Sequence, residues 1–293
     1  MGGVAGQLIS QIITIGSVYA LVGVGFVILF RATGVVNFAQ GEFMVLGAYF
    51  FYAFKVQFGQ STVVSLIGAM AAIMLLGVVV NIVIFYRLVG ASLFTIVIAT
   101  LGLSLLLETA ALIIWGPDTR ELPTVFSNQV VIRPFGILLT PLDIITVVTA
   151  IVIIILIEVV MRTTRIGVRM RAVADSTLLA ALQRVNVPRF AGLAWALAAL
   201  CSGAAGVALA LQTAVDPVNI GQLGLLIFPV VIIGGVDSVV GALVGGVIVA
   251  AIQTLVAYFM NGIWVDPICY GLLLAFLLMR PRGIFGTREI VRV

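Results

Sequence analysis

The sequence predicts an all-α protein, a polytopic integral membrane bundle of about eight or nine spans, and three observations make that prediction. Of its 293 residues 63% are hydrophobic, against roughly 45 to 50% in a soluble domain. Charged side chains make up only 9%, where a water-soluble surface carries about 25%. The apolar residues also fall in long runs, and at roughly 20 per crossing they are enough for eight or nine helices with little left for a soluble domain.

In chain order the runs lie near 8–30, 35–54, 61–86, 93–115, 142–161, 190–212, 222–236, 238–260 and 264–280. The first thirty residues carry no charge, whereas a cleavable signal needs a basic start, so this end reads as the first membrane helix. The second run follows the polar turn at Thr33 and Gly34, and segment 31–54 reads as either a full span or a re-entrant hairpin. Between Asp118 and Asp143 the charges and four nearby prolines, Pro117, Pro123, Pro134 and Pro141, exclude a lipid-facing helix and predict a loop. Run 222–236 is short for a crossing and ends in Gly234, Gly235 and Asp237, the pattern of a broken or re-entrant helix beside a pathway. The next run opens with Gly241, Gly245 and Gly246, small residues at the spacing that lets membrane helices approach backbone to backbone. Cys201 and Cys269 both lie inside apolar runs and read as buried hydrophobes.

Basic residues orient the chain. With the loop 162–189 in the cytoplasm, Arg31, Arg87, Arg162, Arg165, Arg169, Arg171, Arg184, Arg189, Arg280, Arg282, Arg288 and Arg292 fall inside, and only Lys55, Arg120 and Arg133 outside. Nine spans then place the N-terminus outside. The loop itself predicts a short helix: Asp175 as N-cap, an apolar stripe of Leu178, Leu179, Leu182 and Val185, and an end near Asn186 and Pro188. Such a stripe either lies on the bilayer with the arginines on anionic headgroups, or docks into a cytoplasmic partner.

Absences exclude several chemistries. There is no histidine, which removes the commonest general base and metal ligand. The single lysine, Lys55, follows no glycine run, so the chain has no nucleotide-binding loop of its own. Neither a cysteine pair nor a carboxylate cluster suggests a reacting centre, and the chain reads as non-catalytic, without a metal site and without a nucleic-acid partner. What remains is a set of polar groups in apolar surroundings, tolerated only where protein or water satisfies them. Thr33, Asn37, Gln40 and Glu42, with Phe38 and Phe43 beside them, are candidates for a substrate pathway, Glu42 doubling as a helix-start carboxylate. Thr100, Ser104 and Glu108 share one helical face at spacing four. Asn81, Gln253 and Asp216 are further polar residues in or beside the runs.

Five blocks in one order carry a resemblance that runs nearly end to end: G-S-V-Y-A-L-V-G-V-G-F from Gly16, T-G-V-V-N-F-A-Q-G-E-F from Thr33, R-M-R-A-V-A-D from Arg169, G-G-V-D-S-V-V-G-A-L-V-G-G from Gly234 and R-P-R-G-I-F-G from Arg280. Together they resemble the membrane permease subunits of bacterial ABC importers for branched-chain amino acids. Gln40 stands where that family usually has histidine, and Arg184 where it usually has glycine. The resemblance implies one transmembrane permease domain over 1–293 in the bacterial cytoplasmic (inner) membrane, in contact with membrane lipid. It implies a second related permease chain or a homodimer, two cytoplasmic ATPase subunits that use ATP and Mg, and an external substrate-binding protein. It also implies that the 162–189 loop, through Arg169, Arg171, Asp175, Leu178, Leu179, Leu182, Val185 and Asn186, couples to the ATPase. Related permeases carry urea, short amides or aromatic acids. The rival reading is a self-sufficient secondary transporter or channel, coupled to an ion through Glu42, Glu108 or Asp216.

Overall fold

A computed structural model describes residues 2–88, 90–123, 137–175, 177–280 and 282–286. Its elements are twelve α-helices: α1 (Gly2–Thr33), α2 (Gln40–Tyr52), α3 (Thr62–Val83), α4 (Leu93–Trp115), α5 (Pro141–Thr163), α6 (Arg165–Asp175), α7 (Thr177–Leu182), α8 (Val187–Gln212), α9 (Pro217–Leu225), α10 (Ile227–Gly234), α11 (Val239–Phe259) and α12 (Val265–Met279). Among the described residues there is no strand, Arg120 and Val215 form an isolated bridge, and eight segments are long and apolar enough to cross a membrane. The protein is therefore an all-α, multi-pass membrane protein. Arg133, Pro134, Arg288 and Arg292 lie outside the described residues.

Where helices begin, local chemistry explains it. Ser61, Ser92 and Ser238 accept backbone N–H bonds from Val64, Thr95 and Gly241 as N-caps, each satisfying one of the free donors of a first turn. At α5 the Thr140 N–H and hydroxyl both donate to Asp143 Oδ2, at 2.9 and 2.7 Å, and Pro141 occupies the first turn, where no N–H is needed.

Three expectations change. Run 35–54 becomes helical only at Gln40, and α2 is 13 residues long; it is prolonged by a five-residue π-turn, Ala53–Gln57, to a rise of about 25 Å. The helix ends at Gly234, as expected, with Gly235 at φ +115°, and a second break lies at Leu226, between α9 and α10. Pro229 is the reason: inside a continuous helix it would cost a hydrogen bond and clash with the carbonyl of Leu225, whereas in the first turn of a new helix its missing N–H is harmless. In the charged loop, Asp175 ends α6 rather than heading the next helix, α7 stops at Leu182, and Asn186 caps α8 by accepting the Arg189 N–H at 3.2 Å. Between α7 and α8, Arg184 has φ +59°, a backbone region in which an L side chain costs about 1 kcal/mol or more. The glycine usual in the resembled family fits that conformation without strain. Arg184→Gly is expected to stabilise the chain by up to about 1 kcal/mol, read as a raised thermal midpoint in detergent; an unchanged or lowered midpoint would refute the strain.

The chain divides into two compact units, formed from the described parts of Met1–Val27, Phe126–Ile151 and Leu226–Val293, and of Ile28–Val125 and Val152–Leu225. In the first, a Cβ added to Gly245 would fall on the Val230 carbonyl, one on Gly241 on the Gly234 carbonyl, and one on Gly246 would lie 2.8 Å from Ala20 N. These glycines set α11 in backbone contact with α10 and α1. Tyr19 donates to Gln253 Oε1 at 2.6 Å, and Thr14 to Asp143 Oδ1 at 3.1 Å. In the second unit α2 is buried on nearly every side by α3, α8 and α9. Its Gly47 meets Gly203, and its Met44 carbonyl meets Gly206. Phe43 and Phe85 pack on Trp195 at centroid distances of 6.2 and 4.4 Å.

Candidate functional site

The polar turn between α1 and α2 lies in the second unit and is built from its own side chains. Gly34, at φ +69°, ends α1 by donating its N–H to Phe30 O at 2.7 Å. Thr33 turns its hydroxyl back onto Leu29 O at 2.7 Å and accepts the Val35 N–H. Asn37 Oδ1 accepts the Ala39 N–H at 3.0 Å, closing an Asx turn that leads into α2. Its amide donates to Gln40 Oε1 at 2.9 Å, and Gln40 Nε2 donates to Ser202 Oγ on α8 at 2.7 Å. Both Asn37 and Gln40 are 1% exposed, so this chain of bonds is closed within the protein. Thr100 of α4 completes it by donating to Val36 O at 3.2 Å.

Glu42 sits two residues further on and is only partly buried. It is in the first turn of α2, where negative charge is favoured, and its Oε1 accepts from Ser104 Oγ of α4 at 3.4 Å. One turn along α4, Glu108 is exposed, about 10 Å short of the helix end at Trp115. Ser104, Glu108 and Glu42 thus form a polar row on an otherwise apolar helix, continued inward by the buried Thr100.

Of the other expected residues, Phe43 is buried against Trp195 and Phe38 is partly buried. Thr33 and Gly34 border a cavity of about 600 Å³. Gly234 and Gly235 are taken by the C-terminal segment: Ile284 and Phe285 donate N–H bonds to Ile233 O and Gly234 O, both at 2.9 Å, and a Cβ on Gly235 would lie 2.6 Å from Gly286 N. In the charged loop Arg169 and Arg171 are exposed on α6, Leu179 and Leu182 are 63% and 72% exposed on α7, and Val185 is partly exposed. The side chains of Asp175 and Leu178 lie outside the described residues. Asp216 is the N-cap of α9: its Oδ1 accepts the N–H groups of Val218 and Asn219 at 2.9 and 3.0 Å, and its Oδ2 accepts from the Asn219 amide and the Thr119 hydroxyl. These bonds, the Asn219 N–H first, hold its carboxyl below the ordinary carboxylate range. The cap's contribution is present at neutral pH and lost as pH falls through that lowered value. Among the described residues no three metal-ligating side chains converge. Sequence reasoning missed Ser202 and Trp195, which lie in a run of alanine, leucine and glycine and gave no signal beyond their polarity and size.

Comparison with known proteins adds the rest. The model of the family described as "Branched-chain amino acid transport system / permease component" matches residues 8–279. The chain is similar to the high-affinity branched-chain amino acid transport system permease protein LivH of Escherichia coli (strain K12), 26% identical over 293 residues that cover 96% of this chain and 95% of that one. It is similar to BraD of Pseudomonas aeruginosa, a permease of the same description, at 26% over 299 residues, 98% and 97% of the two chains. A probable LivH of Methanocaldococcus jannaschii is 26% identical over 303 residues, 96% and 92% of the two. No solved structure matches the chain.

Proposed function

The chain belongs to the branched-chain amino acid transport system / permease component family, and from that premise we propose that it is the membrane subunit of an ATP-driven importer carrying branched-chain or similar amino acids inward. Two cytoplasmic ATPase subunits hydrolyse the ATP, an external binding protein delivers substrate, and a second permease chain, identical or related, completes the path. The observation that carries the pathway is the exposed Glu108 on a membrane-spanning helix. A carboxylate facing lipid is costly, so that face of α4 borders protein or water. An amino acid brings an ammonium and a carboxylate, each needing partners at membrane depth, and Glu42, Ser104 and Glu108 meet the first need. Thr33, Asn37, Phe38, Gln40 and Phe43 form the frame that holds Glu42 at this face. The arginine count supports a cytoplasmic α6 and α7, which deliver ATPase closure to α8 through the Asn186 cap.

Proteoliposomes holding this chain with its ATPase subunits, second permease and binding protein should take up labelled leucine only with ATP. Glu42→Gln and Glu108→Gln should each lower that uptake about tenfold, the worth of one charge-assisted bond, with assembly and basal ATP hydrolysis unchanged. Uptake by the chain alone under an ion gradient, abolished by the same variants, would favour the secondary transporter instead; normal uptake in both variants would remove this row from the path.

A further inference from the structure

The cavity of about 600 Å³ in the second unit shares Thr33 with the frame just described but none of Glu42, Ser104 and Glu108, and its chemistry suits a different ligand. It lies where the end of α1, the turn Phe85–Leu88, the start of α4 and the start of α8 come together. Its walls are apolar apart from Thr33, Asn81, Tyr86 and Trp195. Tyr86 is 53% and Leu93 63% exposed at its edge, and beside them Ile82, Val83 and Phe94 are 59%, 56% and 74% exposed. The opening is thus continuous with the apolar outer faces of α3 and α4, which only lipid tails cover without loss. Arg87 stands between the lining residues Tyr86 and Leu88, and Arg189 follows the lining residue Pro188; both are exposed.

An apolar chamber reached from the bilayer and flanked by two cations fits an amphiphile with a hydrocarbon tail and a negative head. We propose that this cavity binds one acyl chain of an anionic phospholipid, with Arg87 and Arg189 on its phosphate. The volume lies in the ordinary range of ligand pockets, and basic pockets between membrane helices on the arginine-rich side recognise such headgroups. Because Val187, Pro188, Ala191 and Trp195 of the wall belong to the first turns of α8, the bound chain braces the helix into which the charged loop leads.

The purified full chain in detergent is titrated with dioleoyl phosphatidylglycerol, dioleoyl phosphatidylcholine or glycerol 3-phosphate, and retained lipid is counted by native mass spectrometry. Wild type should retain the glycerol lipid about thirtyfold more strongly than the choline lipid, the effect of two arginines at a membrane surface. Arg87→Gln with Arg189→Gln should abolish that preference, and Ala91→Trp, at a partly exposed lining residue, should stop retention of either lipid, both variants keeping the wild-type unfolding midpoint by circular dichroism. Equal retention of the two lipids by wild type, an undiminished preference in the double arginine variant, or retention unaffected by Ala91→Trp would each overturn the assignment. So would an equal effect of glycerol 3-phosphate alone, or displacement of the lipid on binding of the ATPase, which would give the cavity to that subunit.

Discussion

Gly206→Val is expected to remove most of the folded protein from the membrane. Helices α2 and α8 cross with their backbones touching, and a Cβ on Gly206 would occupy the position of the Met44 carbonyl and carbonyl carbon. Flexible side chains can yield to an added methyl group, but a helical carbonyl cannot without giving up its own hydrogen bond. The crossing is also reciprocal, since a Cβ on Gly47 would strike Gly203, so neither helix can slide to relieve the other. Separating them opens the contacts of Phe43 with Trp195 and of Gln40 with Ser202. The cost is at least about 3 kcal/mol, at the upper end of overpacking penalties. Gly102→Ala on α4, where nothing lies within 4 Å, serves as the control and should be neutral or stabilising by about 0.5 to 1 kcal/mol. The check is the midpoint of unfolding in mixed detergent micelles together with the amount of chain in the membrane fraction. If both variants match wild type, the close crossing of α2 and α8 is wrong.

The second large effect is expected at the charged loop. Leu182→Asp should reduce ATP-dependent uptake to background and release the ATPase, while the membrane helices remain packed. The leucine is 72% exposed, so its replacement disturbs little within this chain. At six residues α7 is far below the length at which a helix holds itself in water. Buried Met170, Val173 and Ala180 anchor the loop from one side, which leaves its outward face for a groove on another subunit, and a carboxylate placed in such a groove loses the contact and must be desolvated. Co-purification of the ATPase and leucine uptake are read on the same preparation. Normal values of both would return the loop to the bilayer surface.

Helix positions were largely legible because they depend on features that sequence displays directly: run length, and capping serines at 61, 92 and 238. Helix faces were not. In α2, α3 and α8 nearly every position is apolar, whether it meets protein or lipid, so no amphipathic stripe marks the buried side. Close approach is marked by small residues instead, and Gly47, Gly203 and Gly206 locate the α2–α8 crossing better than any hydrophobic residue. The polar turn at 33–42 was visible as a cluster, and the Asn37–Gln40 pairing follows from short spacing. Its third member, Ser202, is 162 residues from Gln40, and only the fold brings it there. Asp175 misled because an acid before an apolar stripe is a common N-cap, whereas here it is the last residue of α6.

The first unit draws on the beginning, the middle and the end of the chain, and that sets a delay during biosynthesis. Tyr19 meets its acceptor Gln253 across 234 positions, which at ordinary ribosomal speeds is about 10 to 50 s of elongation. For most of that interval α1 waits in the bilayer without α10, α11 or α12, and no charge before Arg31 makes the wait costly. The second unit is synthesised entirely between Val27 and Leu226, so its chain is finished before the last part of the first unit can join α1.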